Sequence, residues 1–126
     1  MARFPEHLRL GALVVRPATV LAPMAGLTDS LFRRFIRSLG GCGLVVTELV
    51  SAEGLVRAQH ARRPGRTLDY LTFLPEERPI GAQLFGANPE VMAEAARICQ
   101  DLGFDLVDIN LGCPVPKVVR CLGGSA

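Results

Sequence analysis

One pattern recurs along the 126 residues and restricts the fold more than any other feature. A short apolar run leads into a polar turn, and the turn leads into a segment with apolar residues at helical spacing. Val20-Leu21-Ala22 runs into Pro23-Met24-Ala25-Gly26. Leu31, Phe32, Phe35, Ile36 and Leu39 then follow at intervals of one, three and four, with Arg33, Arg34 and Arg37 on the other face. Thr28 or Asp29 suits the N-cap of that helix, and Gly40-Gly41 stops it. Leu44-Val45-Val46 begins a second unit. It becomes polar at Thr47-Glu48 and continues through Ser51-Ala52 towards a short helix around Leu55 and Val56. Ile80 to Phe85 begins a third unit, closed by Gly86. Asn88-Pro89 signals a helix start, and Val91, Ala95, Ile98 and Leu102 form the apolar face of a helix from about Glu90 to Leu102. Leu106 to Ile109 is a fourth strand, ending in Asn110-Leu111-Gly112-Cys113-Pro114-Val115-Pro116-Lys117.

Alternating strands and helices imply a parallel sheet. Two architectures fit at this level: an open doubly wound sheet of about four strands, or the first half of a (β/α)8 TIM barrel, which needs about 250 residues when complete. Ahead of the first unit, Leu8 to Val15 reads as a small hairpin around Gly11. Residues His60 to Arg66 read as a basic loop, Glu76 to Pro79 as a surface turn, and Gly123 to Ala126 as the start of a further helix.

In a parallel sheet all strand C-termini share one rim. Pro23-Gly26, Thr47-Glu48, Gln83 and the Asn110-Cys113 turn all fall on it, and in barrel proteins this rim carries the chemistry. Each residue also has a plainer reading. Pro23-Gly26 could be only a tight turn. Gln83, an amide inside an apolar strand, could be satisfied by backbone alone. Asn110 could only cap its turn. Cys113 could be a small buried hydrophobe, a nucleophile or a general acid. Neither His7 nor His60 is placed by the sequence as a base for a nucleophile, whereas a cysteine of ordinary pKa, about 8.5, is still protonated at neutral pH as an acid must be. The two prolines of the turn stiffen the backbone around it. Lys117 and Arg120 suit RNA phosphates or a solvated face equally; for Arg57, Arg62, Arg63 and Arg66 the solvated face is the better reading. Glu48 reads equally well as a pocket residue and as a local helix anchor.

The formal net charge of +2 is too small to establish a nucleic-acid partner. Cys42, Cys99, Cys113 and Cys121 form no close metal-type pair, so no metal is expected; the expected state is reduced thiols in the cytoplasm, with all but Cys113 structural or incidental. No stretch approaches the roughly 18–20 apolar residues of a membrane span. The first residues lack the apolar core of a signal peptide.

The ordered motifs carry a resemblance. Leu21-Ala22-Pro23-Met24-Ala25-Gly26-Leu27-Thr28-Asp29, Thr47-Glu48, Gln83-Leu84-Phe85-Gly86 and Ile109-Asn110-Leu111-Gly112-Cys113-Pro114 with Lys117-Val118 are similar to segments of the tRNA-dihydrouridine synthases. The resemblance runs from about Leu8 to Ala126. It implies the barrel rather than the open sheet, with residues 1–126 as the N-terminal portion of an FMN-binding barrel. It implies FMN contacts from Pro23, Met24, Ala25 and Gln83, and contact with the substrate uracil from Asn110, with Lys117 placed near RNA. It gives Cys113 the role of proton donor to carbon-5 of uracil, opposite hydride delivery to carbon-6 from reduced FMN, with NADPH as reductant and tRNA as substrate.

Members of that family are more than twice as long, with later barrel strands and a helical tRNA-binding domain. The expectation is therefore a fragment that is marginal alone, pairs with a complementary half or itself through open sheet edges, and binds FMN weakly. The alternatives are a catalytically inactive half-barrel or RNA-binding remnant, and a flavoprotein of the dihydroorotate or dihydropyrimidine dehydrogenase type. The latter typically carry serine before the cysteine and asparagine after the proline, where this chain has Gly112 and Val115.

Overall fold

A computed structural model describes residues 4–61, 66–120 and 123–124. A hairpin of β1 (Leu8–Leu10) and β2 (Leu13–Val15) comes first, with Gly11 turning it at a φ of 60°. The body is a parallel sheet of β3 (Val20–Leu21), β4 (Leu44–Ser51), β5 (Ile80–Phe85) and β6 (Leu106–Ile109), in that spatial order. The helices are α1 (Ser30–Ser38), α2 (Ala52–His60), α3 (Arg66–Asp69), α4 (Pro89–Asp101) and α5 (Pro116–Val119). Chain order and spatial order coincide, the topology of successive strands in a β/α barrel. No helix among the described residues is long and apolar enough to cross a membrane.

The local signals act where the sequence places them. The Asp29 carboxylate accepts from Phe32 N at 2.8 Å and caps α1. Ser51 Oγ accepts from Gly54 N and caps α2. Asn88 Oδ1 accepts from Glu90 N and Val91 N, with Pro89 opening α4. Loss of an N-cap side chain costs about 1 kcal/mol. Asp29→Ala is expected to lower stability by that amount in a urea titration, with no change in the slope that reports exposed surface.

Strand alternation divides the interior in two. Val45, Ile80, Ala82, Leu84 and Val107 face the helices and pack with Leu55, Ala95, Ile98 and Cys99. Val46 and Leu44 face the other way, where Val15 of the hairpin and Leu106 meet them. Val45 and Val50 both belong to the helix side although five residues separate them, an odd number that a regular strand would place on opposite faces. A β-bulge resolves this. Val46 pairs with Gly81 but Leu49 pairs with Gln83, so β4 contains one extra residue at Thr47-Glu48. The Thr47 hydroxyl repairs the ladder, accepting from Gln83 N at 3.1 Å and donating to the Glu48 carbonyl at 3.0 Å.

Two expectations about polarity are corrected. The apolar stripe of α1 does not face inward: Leu31 is 72% and Phe35 56% exposed, whereas Arg33 is 1% exposed. Glu77 does not sit on a surface turn; it is fully buried within the 3-10 turn Pro75–Glu77. One interaction explains both. Arg33 Nε donates to Glu77 Oε2 at 2.6 Å, and its Nη1 and Nη2 donate to the carbonyls of Thr28 and Thr72 at 2.7 and 2.9 Å. Glu77 Oε1 accepts from Ser30 Oγ and Leu74 N. With every polar atom engaged, the ion pair rather than the apolar stripe sets the rotation of α1. Arg66 lies in α3 rather than a loop. Arg62, Arg63 and the second half of the expected terminal helix, residues 125–126, lie outside the described residues.

Candidate active site

The rim at the C-terminal ends of β3–β6 gathers the residues singled out in the sequence. After β3, the Met24 carbonyl accepts from the amides of Leu27 and Thr28, closing a turn. The buried Thr28 hydroxyl bonds both Met24 N and the Met24 carbonyl. Arg33 holds the Thr28 carbonyl in turn, so the buried ion pair is connected to this turn through one residue. Gly26 takes a φ of 75°, in the region that favours glycine, and a Cβ there would meet nothing within 4 Å. The turn therefore offers an uncrowded small-residue surface. Pro23 is partly buried, and Met24 is partly exposed.

Glu48, at the bulge in β4, reaches the same turn: its Oε2 accepts from Gly26 N at 2.7 Å. Glu48 lines a pocket and anchors the turn after β3, not a helix of its own unit. On β5, Gln83 lies on the face turned from the helices. Its direct register partner is Asp108 of β6, and Gln83 Nε2 donates to Asp108 Oδ2 at 2.6 Å. Gln83 Oε1 accepts from Asn110 Nδ2 at 3.3 Å. A carboxamide offers two donor hydrogens and two acceptor lone pairs, so one of each is left for a ligand edge.

Past β6, Asn110 Oδ1 accepts from Gly112 N and Cys113 N at 3.2 and 2.9 Å, the capping arrangement of an Asx turn. Through this turn Asn110 fixes the backbone that carries Cys113, and among the described residues one hydrogen of its amide is not engaged. Lys117 lies on α5, and the expected position of its side chain lies outside the described residues.

The turn after β3 and the turn after β6 share a cleft of about 280 Å³, lined by Ala25, Gly26, Glu48, Tyr70, Phe85 and Cys113 among others. Its volume is just under the roughly 300–1,000 Å³ of small-molecule pockets. Ala25 and Gly26 give it a small-residue wall and Tyr70 and Phe85 an aromatic one, which suits a flat cofactor; Pro23, Met24, Gln83 and Asn110 are not among the described residues that line it. Cys99 contrasts with Cys113. It is buried in the helix-side core, and burial pushes its thiol up to about 11. That suppresses the thiolate and makes Cys99 inert as a nucleophile.

Three contributors escaped the sequence reading. Asp108 carried a signal, an acid two residues after Leu106 in an apolar strand. The bulge carried a weaker one in the broken alternation of Leu44 to Ser51. Tyr70 carried none, because the path of the segment after α3 places it at the cleft.

A four-stranded parallel sheet in chain order, with helices on one side and polar turns on the C-terminal rim, is part of a β/α barrel. Residues 20–126 match the family model described as dihydrouridine synthase (Dus), and the chain belongs to that family. It is 40% identical over 119 residues to a probable tRNA-dihydrouridine synthase of Rhodobacter capsulatus, covering 94% of this chain and 35% of the relative. It is 47% identical over 102 residues to a probable tRNA-dihydrouridine synthase of Aquifex aeolicus, covering 80% and 30%. It is 37% identical over 121 residues to the probable tRNA-dihydrouridine synthase 1 of Synechocystis, covering 96% and 32%. The chain spans about a third of the length of these curated relatives.

Proposed function

We propose that residues 1–126 are the cysteine-bearing portion of the flavin-binding barrel of an FMN- and NADPH-dependent tRNA-dihydrouridine synthase. The activity belongs to the barrel as a whole, and these residues are one contribution to it. The observation that carries the reading is the shared cleft, with the Ala25-Gly26 turn as one wall and Cys113 as another. Family membership and the names of the relatives supply the substrate class, uridine in tRNA.

In this reading Pro23, Met24 and Ala25 present the small-residue wall to FMN, and Gln83 offers its remaining N–H and lone pair to the polar edge of the ring. Bound FMN, once reduced by NADPH, would supply a hydride to carbon-6 of uracil. Cys113 holds a proton on Sγ and passes it to carbon-5, and the resulting thiolate regains a proton from water. Hydride and proton together saturate the carbon-5/carbon-6 double bond. Asn110 orients the Cys113 backbone and offers its remaining amide hydrogen to the base. Lys117 is assigned to RNA phosphate. The outer strands β3 and β6 each have one neighbour in the sheet; complementary barrel strands are proposed to cover their other edges.

Titration of the chain into FMN, followed by flavin fluorescence, tests the cofactor assignment. Saturable quenching is expected, with release of the flavin on desalting. No quenching at millimolar chain rejects the reading.

A further inference from the structure

Glu48 is nine-tenths buried, with a relative exposure of 9%, and its two carboxylate oxygens are treated differently. Oε2 accepts the Gly26 amide at 2.7 Å. Oε1 receives no hydrogen bond among the described residues. No buried side-chain oxygen or nitrogen among the described residues lacks a partner, so Oε1 is the oxygen that keeps contact with the solvent of the cleft. Glu48 lines the cleft that also holds Cys113 and Tyr70, and no arginine, lysine or histidine is among the described residues lining that cleft. Glu48 sits at the irregularity of β4, where the register with β5 shifts between Val46 and Leu49.

We propose that Glu48 is a specificity-determining residue whose second oxygen accepts an imide N–H from the heterocycle bound in the cleft. The inference rests on the proposed uridine chemistry and deepens it. Uracil carries a donor at N3, whereas cytosine carries an acceptor there, so a fixed carboxylate admits the first and repels the second. The flavin pyrimidine ring carries the same imide group. The shared chemistry is therefore an imide donor, and the source is settled by experiment.

The test uses the whole chain saturated with FMN and compares uridine, 3-methyluridine and cytidine by ligand-observed NMR. Hydrogen bonds to charged groups are worth enough that uridine is expected to bind about ten-fold or more tightly than the other two. E48A should abolish that preference. Methylation on the ligand leaves the protein unaltered, so the comparison holds even if E48A folds poorly. A parallel titration compares FMN with its N3-methyl analogue in the absence of nucleoside. A ten-fold preference there, and none among the nucleosides, assigns the imide to the flavin. Equal affinities in both series, from a chain that still quenches FMN, overturn the role of Glu48 and leave the proposed function standing. A chain that binds neither flavin nor nucleoside overturns both.

Discussion

Glu77→Ala is expected to destabilise the chain by about 3–5 kcal/mol, the cost of leaving a buried charge without its partner. Small domains hold only about 5–15 kcal/mol in total, so the variant is expected to unfold at low urea or to fail to accumulate as a folded protein. The cause is specific. Removing the carboxylate strands the Arg33 guanidinium at 1% exposure and removes the acceptor for Ser30 Oγ and Leu74 N. Glu77→Gln keeps an acceptor but loses the charge, so its midpoint should fall between wild type and alanine. Arg33→Met with Glu77→Leu tests the pair as a unit. An apolar replacement of both partners is often neutral, and a double variant far more stable than either single one shows the penalty to be desolvation. A Glu77→Ala loss under 1 kcal/mol would reject the account. Because Arg33 also holds the Thr28 carbonyl, partially folded variants should quench FMN less than wild type.

Cys113→Ala is expected to lower NADPH-dependent dihydrouridine formation in tRNA by about 10²–10⁴-fold, the range for loss of a positioned general acid. The measurement suits a chimera in which these residues replace the matching third of the Rhodobacter capsulatus relative, with product quantified in digested tRNA. Quenching of FMN by the variant should equal that of wild type, since no cofactor contact is assigned to the thiol. Cys99→Ala is the internal control: a thiol buried in the core and held protonated should contribute packing and no chemistry. Equal product yields from Cys113→Ala and wild type would remove the thiol from the mechanism.

Hydrogen bonding realises the plain reading of Asn110 and departs from that of Gln83. Asn110 caps its own turn, and that turn carries Cys113. Gln83 is satisfied by side chains, Asp108 and Asn110, rather than by backbone. A polar ladder across β5 and β6 costs stability unless its members are paired, and here they pair with each other.

Local chemistry made the elements and their order legible. Asp29, Ser51 and Asn88-Pro89 start helices because a side-chain oxygen can satisfy nearby amides, whatever the rest of the chain does. The alternation of short apolar runs with helical spacing specified a parallel sheet, and that alone put Pro23-Gly26, Gln83 and Cys113 on one rim. What the tertiary structure decided depends on partners distant in sequence. Arg33 faces inward because a carboxylate 44 residues away is buried opposite it, against the preference of the α1 stripe. Glu48 is fixed at the rim by the amide of Gly26, 22 residues away in the chain. Tyr70 reaches the cleft because of where its segment crosses the rim. Periodicity reports which face a residue shares with its near neighbours; only packing determines what that face meets.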